Sequence, residues 1–202
     1  MHLLNRSVYL FWILPALCLL TGCSETNSQP GMSERNKVAN IVESLGKNGQ
    51  DSQDFQKNVA LVHELAPYPK TAVEILIGQL KPVDIVKLDE PANNSSENEK
   101  ARHVIWCLRA LYYITGHKIL AHSSYKLTDS DYDKNRSGLI ATEDGRWAFF
   151  TQWMSRGTIY FAPIDAQKTI IKGWKQWETQ NLETYNFPQN VNFDEWYFGG
   201  PE

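Results

Sequence analysis

A chain of 202 residues, 42% hydrophobic and 21% charged, is long enough for one domain with a real buried core. Its 20 Lys and Arg are scattered among 23 Asp and Glu, for a formal net charge of -3. No basic stripe with interleaved aromatics stands out, which argues against nucleic acid as a partner. The 7 tryptophans are the more unusual feature.

The chain opens MHLLNRSVYLFWILPALCLLTGC: a basic start at Arg6, then an apolar run from Val8 to Leu20 that is short for a bilayer span. This pattern predicts a secretory signal over residues 1–22. It ends in Leu20-Thr21-Gly22-Cys23, which resembles the bacterial lipobox, where a cysteine after a small residue is lipidated and becomes the new N-terminus. Cys23 is therefore the expected lipidation site, carrying palmitate-type acyl chains, and the expected membrane contact is through that lipid anchor. Ser24 follows the cysteine where an aspartate would resemble an inner-membrane retention signal. The expected address is the outer membrane, periplasmic face. Cys18 leaves with the signal and Cys23 carries lipid, so Cys107 stands alone and no intramolecular disulfide is available. Within VIWCLRAL it reads as a small core hydrophobe, with no paired histidine visible in the sequence.

Residues 23–32, ending in a polar stretch with proline and glycine, read as a flexible tether, and residues 33–182 as an all-α domain. Ser33 and Glu34 cap a first helix with Val38, Ile41, Val42 and Leu45 on its apolar stripe, ended by Gly46. Asp51 or Ser52 starts a second, with Phe55, Val59, Leu61, Val62 and Leu65 inward, stopped at Pro67 and Pro69. A third carries Ala72, Val73, Ile75, Leu76, Ile77 and Leu80 and is broken by Pro82. DEPANNSS is an exposed loop. From Glu97 runs the strongest helix, with Ala101, Val104, Ile105, Leu108, Leu111, Tyr112 and Ile114 at helical spacing and Gly116 past its end. It is the expected centre of the core.

Residues 123–145 form a charged, polar insertion. Within it, DKNRSGLIATED has EF-hand spacing: Asp133, Asn135 and Ser137 at positions one, three and five, Gly138 at six, Asp144 at twelve. Alternate side chains and the carbonyl of Leu139 would converge on one calcium ion while Gly138 turns the chain and Ile140 anchors it. The aspartate at twelve is short for bidentate ligation, Arg136 adds positive charge, and no amphipathic helix flanks the loop. A weak calcium site at Asp133, Asn135, Ser137, Leu139 and Asp144 and a solvated connector both stand as readings; no other cofactor is required.

Beyond it, Trp147, Phe149, Phe150, Trp153 and Met154 predict a short helix or a tightly packed segment, and TIYFAP a brief extended piece. Asp165 is placed to cap the last helix, on which Ile170, Ile171, Trp174 and Trp177 share a face. Trp106, Trp147, Trp153, Trp174 and Trp177 are spaced as core residues. Residues 183–202 form an aromatic-rich tail in which Trp196, Tyr197 and Phe198 either fold back or meet a partner.

The long helix reading CLRALYYITG and the closing helix reading KTIIKGWKQWE resemble the end of a bacterial HEAT-like helical array: Leu108, Ala110 and Leu111, the Thr115-Gly116 stop, and Trp174 with Trp177 three apart. HEAT-like arrays mostly bind other proteins, so the resemblance implies a binding module. His63-Glu64 is a single pair, and His103, His117 and His122 match no metal spacing, so structural roles are expected for them. No hydrolase elbow, phosphate loop or dinucleotide fingerprint is present, and no enzyme activity is expected. The expected function is protein binding from a membrane anchor, one version being an immunity-type inhibitor of an envelope-targeted toxin. The alternative is an envelope scaffold or accessory lipoprotein with a calcium-ordered insertion; an enzyme of unknown class comes third.

Overall fold

The computed structural model describes residues 33–47, 52–85, 87–88, 95–126, 145–153 and 158–188, all within one compact unit, Met32–Glu202. Helices dominate them, as the periodicity predicts.

Helix α1 (Glu34–Ser44) starts where the Ser33 hydroxyl accepts the Asn36 N–H at 3.4 Å, and buries Val38, Ile41 and Val42. Beyond it Gly46 turns left-handed at φ 70°. A Cβ there would lie 2.7 Å from the backbone carbon of Arg102, so only glycine lets the turn rest directly on the long helix. Buried Asn58 secures that turn, accepting the Gly46 N–H at 2.7 Å and donating to the Asp54 carbonyl at 2.8 Å. It belongs to α2 (Ser52–Leu65), whose Val62 and Leu65 are fully buried.

Helix α3 (Pro69–Gln79) places proline at its first position, where the missing N–H costs nothing. Ala72, Val73, Leu76 and Ile77 make two adjacent buried ridges, which is why its apolar pattern is nearly continuous: it packs on α1, on α4 and on the last helix. Helix α4 (Ser96–Thr115) is capped by Ser95 and ends at Gly116, φ 69°, whose N–H reaches the Tyr112 carbonyl at 2.7 Å. Twelve of its residues are buried, which makes it the central helix. Helix α5 (Ile164–Asn181) closes the domain with Ala166, Gln167, Ile170, Ile171 and Trp174 inward.

The extended part is larger than the sequence implies. Strands β1 (Lys87–Leu88), β2 (Phe150–Trp153) and β3 (Thr158–Phe161) form an antiparallel sheet in the order β1-β3-β2. Register pairs Leu88 with Ile159 and Phe150 with Phe161. The stretch expected as a short helix or packed segment is thus partly a strand. Aromatic and β-branched residues favour a pleated surface, and TIYF, extended as expected, supplies the partner edge, while the pairing itself is beyond local periodicity. Ile159 and Phe161 join the same core as the helices.

Candidate functional site

Three of the sequence-derived sites, Cys23, the loop Asp133 to Asp144 and the triplet Trp196-Tyr197-Phe198, lie outside the described residues. What is described is how the chain enters and leaves the insertion. Ala121 and Trp147 form an antiparallel bridge, with N–H to carbonyl distances of 3.0 and 2.7 Å. Tyr125 meets the Trp147 ring edge-on at 6.1 Å. Residues 127–144 therefore connect two ends already held together.

Asp165 fixes the same neck. It does not cap α5 as expected: the N-cap is Pro163, and Asp165 sits inside the first turn. Its carboxylate accepts from the Ser123 hydroxyl at 2.7 Å, the Ser124 N–H at 2.8 Å and the Ser124 hydroxyl at 2.9 Å, as well as from its neighbour Ala166 N–H. These bonds, the Ser123 hydroxyl first and the Ser124 N–H next, hold its carboxyl at about 2.

At the other end of α5 lies an aromatic group. Trp174 is buried, whereas Trp177, expected in the core, is half-buried and forms an outer wall. Its ring lies 5.9 Å from Trp174, 5.4 Å from His117 and 5.0 Å from Tyr185. Tyr185 also contacts Phe187, and its hydroxyl donates to the Thr115 carbonyl at the end of α4. Burial raises the Tyr185 phenol. The first residues of the expected tail are thus docked on the helical body, with Pro188 within reach of Gly116.

Helix α4 carries chemistry the sequence reading missed. One turn before Cys107, His103 places Nε2 3.6 Å from the thiol, while its Nδ1 lies 2.8 Å from the Leu45 carbonyl. A carbonyl only accepts, so Nδ1 holds the proton and Nε2 is left to accept from the S–H. A paired histidine therefore exists, contrary to expectation, at the helical i, i+4 spacing that could have revealed it. It does not activate the thiol: Cys107 is fully buried, and burial pushes it well above its ordinary value.

Arg102 and Arg109 are both 2% exposed. The Arg109 guanidinium lies 4.6 Å from the Trp106 ring and 5.8 and 5.9 Å from Phe55 and Phe150, joining α2, α4 and the sheet through stacked aromatics. The Arg102 Nε has no hydrogen-bond partner among the described residues. The signal was present: residues 102, 105, 106 and 109 lie on one helical face with Ile105 and Trp106.

The three histidines are not brought together. His103 is about 18 Å up the helix from Thr115, His117 meets Trp177 and Tyr185, and His122 is exposed. His63 and Glu64 are exposed on α2, His63 bonding the Tyr113 hydroxyl through Nδ1 at 2.9 Å. Among the described residues no three His, Cys, Asp or Glu side chains are grouped to hold a metal ion, and no helix is long and apolar enough to cross a membrane. No family model matches the chain, and neither a curated protein nor a solved structure matches it.

Proposed function

We propose that the chain is a lipid-anchored protein of the bacterial outer membrane, facing the periplasm, that works by binding another protein. The observation that carries this reading is Leu20-Thr21-Gly22-Cys23 at the end of the apolar run from Val8 to Leu20. Several acyl chains at about 0.8 kcal/mol per buried methylene would hold Cys23 at a bilayer almost permanently. The domain supports binding in two ways. It is a helical body, in keeping with the HEAT-like resemblance, and its docked Tyr185 and Phe187 precede Trp196-Tyr197-Phe198 in the sequence, a reach of at most about 27 Å of extended chain from Pro188. A concrete version is an immunity-type inhibitor, which must be exported, held near the envelope and shaped to cover a toxin's active site.

Mass spectrometry of the membrane-extracted chain tests the anchor. An N-terminus beginning at Cys23 with acyl mass on it is expected, and Cys23→Ser should lose that mass. Absence of added mass on the wild-type chain would overturn the lipoprotein reading. Photo-crosslinkers placed at Trp196 or Tyr197 in the anchored chain test the binding surface; a single discrete protein adduct is expected.

One observation favours a second reading, an accessory lipoprotein with a calcium-ordered insertion. The Ala121–Trp147 bridge and the Asp165 bonds close the base of residues 127–144, so a cation at Asp133, Asn135, Ser137, Leu139 and Asp144 would order a loop whose ends already meet.

A further inference from the structure

Helix α5 turns a cationic face to solvent. Its exposed residues include Lys168, Lys172 and Lys175 and no carboxylate. At spacings of four and three, the three lysines fall on one stripe spanning about 10.5 Å of helix. None of them holds a salt bridge among the described residues. Of the acids nearest to them along the helix, Asp165 is engaged by Ser123 and Ser124, whereas half-buried Glu178 lies close enough to Lys175 to feel its charge as well as that of Glu74.

A neighbouring segment runs alongside the helix. Ile119 packs against Gly173, where an added Cβ would come 2.8 Å from it, and Ser123 and Ser124 bond Asp165. The segment therefore runs antiparallel beside α5, and Lys118 and Lys126 on it are also exposed. Lys118 turns its Nζ over the Tyr112 ring of α4, 5.0 Å from the centroid, so the face proper is the three-lysine stripe of α5, on a chain whose formal net charge is -3. The linear count of scattered charges hides this stripe, because only the helical turn assembles it.

We propose that this lysine face lies against anionic phospholipid headgroups of the membrane to which the chain is tethered. The inference rests on the anchored reading above. Ten residue steps lead from Cys23 to Ser33, which keeps the domain within roughly 35 Å of the bilayer. Screening limits attraction to about 8 Å at physiological salt, so the lysines must meet the headgroups face-on. Tethering supplies that proximity, and charge complementarity then sets the orientation.

The test incorporates the full chain into phosphatidylethanolamine vesicles with or without phosphatidylglycerol and follows the acetylation rate of each lysine by mass spectrometry. The expected result is several-fold slower modification of Lys168, Lys172 and Lys175 on the anionic vesicles, abolished by high salt, with Lys47 and Lys57 unaffected. In Lys168→Gln/Lys172→Gln/Lys175→Gln, three exposed positions, any difference between the two vesicles at Lys126 on the adjoining segment should fall as well. Equal rates on both vesicles overturn the inference. So does protection that arises only when periplasmic protein is added, which would put an acidic protein surface there instead. A chain that sediments with neither vesicle speaks against the anchor itself, so the two failures are distinguishable.

Discussion

The side chain of Gln167 pairs with the backbone of Val83 as a neighbouring strand would. Its Oε1 accepts the Val83 N–H at 2.8 Å, its Nε2 donates to the Val83 carbonyl at 3.1 Å, and the same nitrogen reaches the Ala162 carbonyl at 2.7 Å. One buried amide thus satisfies the segment after α3 and the exit of β3 together, 84 positions apart in the case of Val83. Neither backbone segment has a partner of its own in a helix there, and buried peptide groups must find one.

Gln167→Leu keeps approximate size but strands those backbone groups. Three groups lose their partner and each left unsatisfied costs about 1–3 kcal/mol, so a loss of at least about 3 kcal/mol is expected in urea unfolding. A loss below about 0.5 kcal/mol would mean that water or a shifted backbone replaces the amide.

Asp165 makes the neck of the insertion sensitive to acid. Its carboxyl is lowered from the ordinary 3.8 to about 2, so the native state binds its proton less readily than the unfolded chain does. A depressed value of this kind contributes stability that is present above the unfolded value and lost as pH falls through the folded one. Loosening of residues 121–126 is therefore expected between about pH 4 and pH 2. The protection of the Ser124 N–H, taken relative to its intrinsic exchange rate at each pH, should fall across that window, and Asp165→Asn should show lower protection at neutral pH with a flattened acid response.

The tryptophan faces of α5 differ in depth, and so should their deletion costs. Trp174 is 2% exposed and Trp106 fully buried, so replacing either by alanine should cost about 3–5 kcal/mol. Trp177 is half-buried and held by edge contacts to His117, Tyr185 and Trp174, so Trp177→Ala should cost less, about 1–3 kcal/mol. Equal losses at 174 and 177 would place Trp177 in the core after all.

Much of the helical framework was legible because its signals are local. Ser33 and Gly116 cap or stop helices where the sequence says they should, and Val38, Val62, Leu76 and Leu111 repeat at helical spacing, while the N-cap at Ser95 falls in a stretch read as loop. The extended piece at TIYFAP was legible and is β3, but its partners were not, since Leu88 on one side and Phe150 to Trp153 on the other come from other parts of the chain. Asp165 misled for a related reason. A carboxylate beside a helix start predicts a cap, but Ser123 and Ser124 arrive from 41 or more positions away and take its oxygens. The buried Arg102 and Arg109 were missed because charge alone suggests solvent, whereas the planar head of Arg109 lies over Phe55, Trp106 and Phe150.

Calcium, if it binds at Asp133, Asn135, Ser137, Leu139 and Asp144, is expected to bind weakly, in the range of extracellular modules at about 0.1–1 mM. Two carboxylates face a divalent charge, Asp144 is short for bidentate ligation, and Arg136 opposes the cation. Against this, the ends of the loop-bearing segment are joined at Ala121 and Trp147, which lowers the entropy lost when the loop orders. At ten times its dissociation constant, the cation would add about 1.4 kcal/mol of stability. Calorimetry on the full chain should show saturable heat that vanishes in Asp133→Ala and in Asp144→Ala, with a matching rise in melting temperature. No heat and no thermal shift at several times the weakest expected constant would leave DKNRSGLIATED as a polar connector closing on the Ala121–Trp147 bridge.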